Sequence, residues 1–103
     1  MSALVVLFNL KGNASKEAYE QWAQTTDVPT VKGLKSIDDF KVYRSMGMLG
    51  SEAKPPYEYC EIIEVNDMDV FGEEVATELM QKVASEFQEF ADGPIFILSE
   101  QFA

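Results

Sequence analysis

Residues 3–10, Ala-Leu-Val-Val-Leu-Phe-Asn-Leu, are apolar at every position except Asn9. Alternation sends Leu4, Val6, Phe8 and Leu10 to one side of an extended chain, and Ala3, Val5, Leu7 and Asn9 to the other. A strand apolar on both sides must be covered on both sides. In a short chain helices can cover one face, and a second copy of the chain can cover the other. This first run therefore argues for a homodimer.

The spacing then changes. Lys11-Gly12-Asn13 reads as a turn and Ser15 as an N-cap, with Glu17 in the first helical turn. Ala18, Tyr19, Trp22 and Ala23 recur at helical spacing, which predicts a helix from Lys16 to about Thr25. Asp27 and Pro29 are expected to break it, because the residue before a proline avoids the helical region. A short helical turn from Pro29 to Lys32, closed by Gly33, follows. Ser36–Met46 alternates as a second strand, residues 47–56 form a hairpin-type connection, and Tyr57–Val65 is the third strand. Asn66-Asp67 caps a long helical region with a break expected near Gly72. Its apolar stripe is Val75, Leu79, Val83, Phe87 and Phe90, and Asp92-Gly93-Pro94 ends it. Ile95–Phe102 is the last strand.

Strand, helix, strand, strand, helix, strand is the split βαβ order. It predicts one α+β domain over residues 1–103: a ferredoxin-like βαββαβ fold with a four-stranded antiparallel sheet and two helices on one face.

Eight basic residues against eighteen acidic ones leave a net charge of −10. Such a surface repels phosphate backbones and anionic lipid, so neither nucleic acid nor membrane is an expected partner. The N-terminus lacks the basic region and cleavage site of a secretory leader, and a cytoplasmic location is expected. There is no histidine. That removes the commonest general base and metal ligand, and with it every Ser-His or Cys-His nucleophile. Cys60 is the one cysteine, so no intramolecular disulfide or thiolate cluster can form, and core packing is its expected role. No metal or other cofactor is expected. Asp67, Asp69, Gly72 and Glu78 match positions 1, 3, 6 and 12 of a calcium loop, but Phe71 fills a ligand position, and helix capping explains the aspartates better.

The chemistry left is that of carboxylates, phenols, amides and guanidinium. If the hairpin pairs symmetrically about residues 51 and 52, Arg44 faces Tyr59, Val42 faces Glu61 and Met46 faces Tyr57. Arg44 then lies one diagonal step from Glu61, and a slip of one residue replaces Arg44 by Tyr43. Glu61, mid-strand in a central strand, would have its pKa raised by desolvation, which suits a general acid or base. The alternative is an ion pair with Arg44, or a place at the dimer seam. Glu61, Tyr59 and Arg44 are the catalytic candidates. Asn9, Trp22, Tyr19, Tyr43 and Tyr57 are candidates for binding substrate, although Asn9 could simply begin a turn and Tyr19 and Trp22 could simply be core. Phe96 and Phe102 are expected in the core or an interface.

Several segments together resemble one family: Tyr19-x-x-Trp22, Val28-Pro29-Thr30, Phe40-Lys-Val-Tyr-Arg44, Pro55-Pro56-Tyr57-x-Tyr59-x-Glu61, Glu86-Phe87-x-x-Phe90-Ala91-Asp92 and Pro94-Ile-Phe96-Ile. Over nearly its full length the chain resembles the RedY-like HapK proteins of the dimeric α+β barrel superfamily. The resemblance implies that two sheets close into a dimeric barrel. It also implies a role in secondary metabolism of the prodigiosin or antibiotic type, on a pyrrole or indole intermediate. Cyclase, lyase or dehydrating activity without a cofactor is the chemistry it suggests first, with cofactor-free monooxygenation behind it. The missing histidine argues against the haem-degrading branch. The competing readings are a non-catalytic carrier of a reactive intermediate and a small regulatory dimer. All but the last predict a small aromatic heterocycle as ligand.

Overall fold

The computed structural model describes residues 2–103. Strand β1 (Ser2–Leu10) leads through the turn at Gly12-Asn13 into helix α1 (Lys16–Trp22), a π turn (Ala23–Asp27) and helix α2 (Val28–Lys32). Strands β2 (Ile37–Arg44) and β3 (Tyr59–Val65) follow, then helices α3 (Met68–Val75) and α4 (Glu78–Phe90) and strand β4 (Ala91–Glu100). The sheet order is β2-β3-β1-β4, antiparallel throughout, so β3 and β1 are central. This is the expected ferredoxin-like arrangement.

Capping residues do the work their chemistry suggests. Ser15 Oγ accepts the Ala18 N–H, and Asp67 accepts the N–H groups of Asp69 and Val70. The helical regions differ from expectation in two places. Helix continues past Asp27, because Val28 N–H reaches back five residues to the Ala23 carbonyl, and Pro29 then falls in the first turn of α2, where its missing N–H costs little. The second helical region breaks not near Gly72 but at Ala76-Thr77, where Thr77 caps α4 by accepting the Met80 N–H. Its buried stripe is accordingly Met80, Val83 and Phe87, while Val75 and Leu79 stay exposed.

Strand β4 also starts earlier than expected, at Ala91, directly after α4. Gly93, at φ +56°, takes a left-handed conformation that other residues avoid. Phe102 lies beyond the strand and is exposed, and Phe96 is 57% exposed, so neither is in this chain's core.

The register puts Val42, Glu61, Val6 and Phe96 in one row across the sheet, flanked by the row Phe40, Ile63, Leu4 and Leu98. These rows face the helices. The opposite face carries the row Tyr43, Cys60, Leu7 and Ile95 and the row Lys41, Ile62, Val5 and Ile97, with no helix over it. Cys60 is thus half-buried on the open face rather than in the core.

The core centres on Phe8, which has no exposed surface. Its ring centroid lies 5.4 Å from Tyr19, 5.5 Å from Tyr59 and 4.9 Å from Phe87. Removing it leaves a hole that all three elements border. Phe8→Ala is expected to lose about 3–5 kcal/mol in denaturant unfolding. Leu49→Ala, at a fully exposed position of the hairpin connection, should change stability by less than about 0.5 kcal/mol.

Candidate functional site

Two openings lie between the sheet and the α1–α2 segment. The outer cleft, about 350 Å³, is bordered by Tyr19, Glu20, Gln24, Phe40, Arg44 and Tyr59 among others. The inner cavity, about 150 Å³, lies under α4 and contains Asp27 and Glu61 amid apolar side chains. Phe40 lines both.

The hairpin register is the symmetric one: Arg44 pairs with Tyr59 and Val42 with Glu61. Met46 and Tyr57 do not pair, since β2 ends at Arg44 and β3 begins at Tyr59. The side chains nevertheless divide between the two openings. Arg44 turns away from Glu61 and grips Glu20 of α1, Nε and Nη2 each donating at 2.8 Å. A two-pronged guanidinium–carboxylate contact at the protein surface outweighs one that would have to be desolvated. Tyr59 donates its phenol proton to the same Glu20 at 2.7 Å. The Arg44 and Tyr59 hydrogen bonds hold the Glu20 carboxyl below the usual carboxylate range, while burial and the Glu20 carboxylate push the Tyr59 phenol up.

Glu61 is 4% exposed and meets Tyr19 instead, whose phenol donates to Oε2 at 3.4 Å. Burial, reinforced by the negative field of Asp27, pushes the Glu61 carboxyl up to about 8. Burial and the Glu61 charge likewise push the Tyr19 phenol up. Near neutral pH the cavity therefore holds a carboxyl that keeps its proton, which is the state a general acid needs. Tyr19 borders the outer cleft and its hydroxyl touches the inner carboxyl, so it links the two openings.

Of the remaining candidates, Asn9 and Trp22 have structural partners and Tyr43 and Tyr57 lie away from the openings. Asn9 accepts the Glu58 N–H through Oδ1 and donates to the Pro56 carbonyl, clamping the chain that enters β3. Trp22 donates to Glu86 of α4 at 2.8 Å and packs beside Phe90. Tyr43 lies on the helix-free face, and Tyr57 precedes β3, outside both openings.

Asp27 is the member that sequence reasoning missed. Its place two residues before Pro29 reads as a helix end, yet it is 5% exposed, and burial pushes its carboxyl up to about 7. The spacing carries the signal: Tyr19, Ala23 and Asp27 fall four apart on the face that α1 and the π turn bury. The extra residue of the π turn then sets where that face ends, and such turns recur at functional sites. Among the described residues no group of three or more acidic, cysteine or histidine side chains is arranged to hold a metal ion. No described helix is long and apolar enough to cross a membrane.

Comparison with known proteins gives three results. The family described as REDY-like protein HapK matches residues 2–102. No curated protein matches. Among solved structures, HapK from Hahella chejuensis is 27% identical, with 99% of this chain and 93% of that chain covered and a TM-score of 0.79. A dimeric ferredoxin-like protein from Thermobifida fusca is 10% identical over 97% and 90% of the two chains, with a TM-score of 0.75. The hydroxynitrile lyase from Passiflora edulis is 12% identical over 99% and 96%, with a TM-score of 0.76. At those identities the last two show the fold alone.

The raised carboxyls carry a stability signature. In the unfolded chain Asp27 and Glu61 ionise near 3.8 and 4.5, and in the fold near 7 and 8. Below about pH 3 both states hold the protons and burial carries no ionic penalty. As pH rises from 4 to 8 the unfolded state sheds protons that the fold retains, so these two groups destabilise the protein progressively. Asp27→Asn and Glu61→Gln stay neutral throughout. Their stability relative to wild type should rise by a few kcal/mol between pH 4 and pH 9 in thermal unfolding. A difference that is flat with pH would show that the carboxyls are not held neutral.

Proposed function

From the chain's membership of the REDY-like HapK family, and from its inner cavity, we propose that it is a homodimeric, cofactor-free tailoring enzyme of secondary metabolism. Its substrate is a small pyrrole or indole intermediate of the kind found in prodigiosin-like pathways, and its chemistry is dehydration, cyclisation or another proton transfer. The observation that carries the reading is Glu61: a carboxyl fixed mid-strand, protonated near neutral pH, and open to an apolar cavity. In a dehydration, Glu61 gives its proton to the departing hydroxyl, which leaves as water. The carboxylate so formed takes the proton from the neighbouring carbon, so the group ends as it began. Tyr19 positions Glu61, while Arg44, Glu20 and Tyr59 form the polar wall of the cleft through which substrate approaches.

The dimer rests on the open sheet face. Ile95 and Ile97 are 41% and 43% exposed there, beside Val5, Leu7 and Ile62. A second copy laid on this face buries apolar rows that one chain leaves wet. Native mass spectrometry at micromolar concentration should show a dimer, and Ile62→Glu should shift it to monomer.

Turnover separates the enzyme from a carrier. With purified protein and candidate pyrrole or indole intermediates followed by mass spectrometry, Glu61→Gln is expected to lose at least about a hundredfold in turnover while still binding ligand. A carrier would leave every intermediate unchanged, and that result sinks the enzymatic reading.

A further inference from the structure

The inner cavity carries two carboxyls and no basic side chain. Glu61 has one long hydrogen bond, from Tyr19. Asp27 has none among the described residues: burial alone accounts for its behaviour, and its oxygens face the cavity rather than being sealed in protein. The nearest guanidinium, Arg44, is committed to Glu20 outside. Neither carboxyl is sealed away without a partner: the Asp27 oxygens are open to the cavity, so what enters it supplies their partner.

The rest of the lining says what that partner looks like. Phe40, Phe71, Phe87 and Phe96 present aromatic surface, and the remaining side chains are mostly aliphatic. Aromatic faces and carboxylates both attract positive charge. The volume, about 150 Å³, is that of a cavity that admits one benzene-sized ring.

We infer that the inner cavity binds a single flat ring bearing positive charge, the protonated or iminium form of a nitrogen heterocycle, with Asp27 as its direct counter-ion and the phenylalanine rings as its walls. This rests on the cavity being the ligand site of the proposed function, and it adds the charge state of what is held there. It also divides labour between the carboxyls: Glu61 handles the proton, and Asp27 faces the ring's positive charge.

N-methylpyridinium and toluene share a six-membered ring and a methyl group and differ in charge. Titrating each into the purified protein, with backbone amide shifts as readout, compares them at one site; Val28 and Ile62 report from beside Asp27 and Glu61. N-methylpyridinium should bind about tenfold more tightly than toluene or better. Asp27→Asn should bring the two within about threefold, mainly by weakening the cation. Glu20→Gln, which removes the outer cleft's carboxylate, should leave the preference intact. Equal or tighter binding of toluene overturns the inference, as do cation-induced shifts confined to Glu20 and Arg44, or no shift with either probe. If Asp27→Asn fails to fold, the wild-type comparison of the two probes decides alone. Toluene preferred while Glu61→Gln still abolishes turnover removes the charge inference and leaves the proposed function. A cation preference without turnover does the reverse.

Discussion

One carboxyl in the middle of a central strand shapes the site. Glu61 shares a row with Val42, Val6 and Phe96, where a valine or isoleucine would pack with less cost. Burying an acid there is tolerable only if it stays protonated or finds a cation, and no described residue lining the cavity supplies one. The surroundings answer that constraint. Tyr19 offers its single contact, Asp27 is held close enough to discourage ionisation, and α4 covers the row with Val83 and Phe87.

The two sheet faces then serve different ends. The helix face combines the aromatic core around Phe8 with the two openings, so rigid packing and ligand space are neighbours. Tyr19 belongs to both, since its ring packs on Phe8 while its hydroxyl reaches Glu61. The other face has no helix above it, and its two central rows are mostly apolar, as the proposed dimer requires.

Much of this was legible in the chain. Strand order, the Ser15 and Asp67 caps and the hairpin register that pairs Arg44 with Tyr59 follow from local spacing and from symmetry about the connection. Arg44's choice of partner did not follow, because Glu20 comes to it from a helix and pairing rules within a sheet say nothing about the layer above. Asp27 was obscured by Pro29, whose usual meaning is the end of a helix. The gap between α3 and α4 was misplaced because Gly72 is a weaker signal than the cap that Thr77 offers. The missed features are contacts between layers, or the outcome of two local signals in competition.

The π turn makes this segment tolerant of a change that a regular helix would not absorb. Its five-residue loop carries one residue more than an α-helical turn while bringing the chain round by nearly the same angle, so losing one of residues 23–26 lets it close into ordinary helix with α1 and α2 on the faces they hold now. The same deletion inside α1, with the π turn kept, rotates everything after it by about 100° and carries Asp27 off the cavity. Among related chains, a one-residue gap at the π turn is thus compatible with a shared site, and a gap within α1 is not.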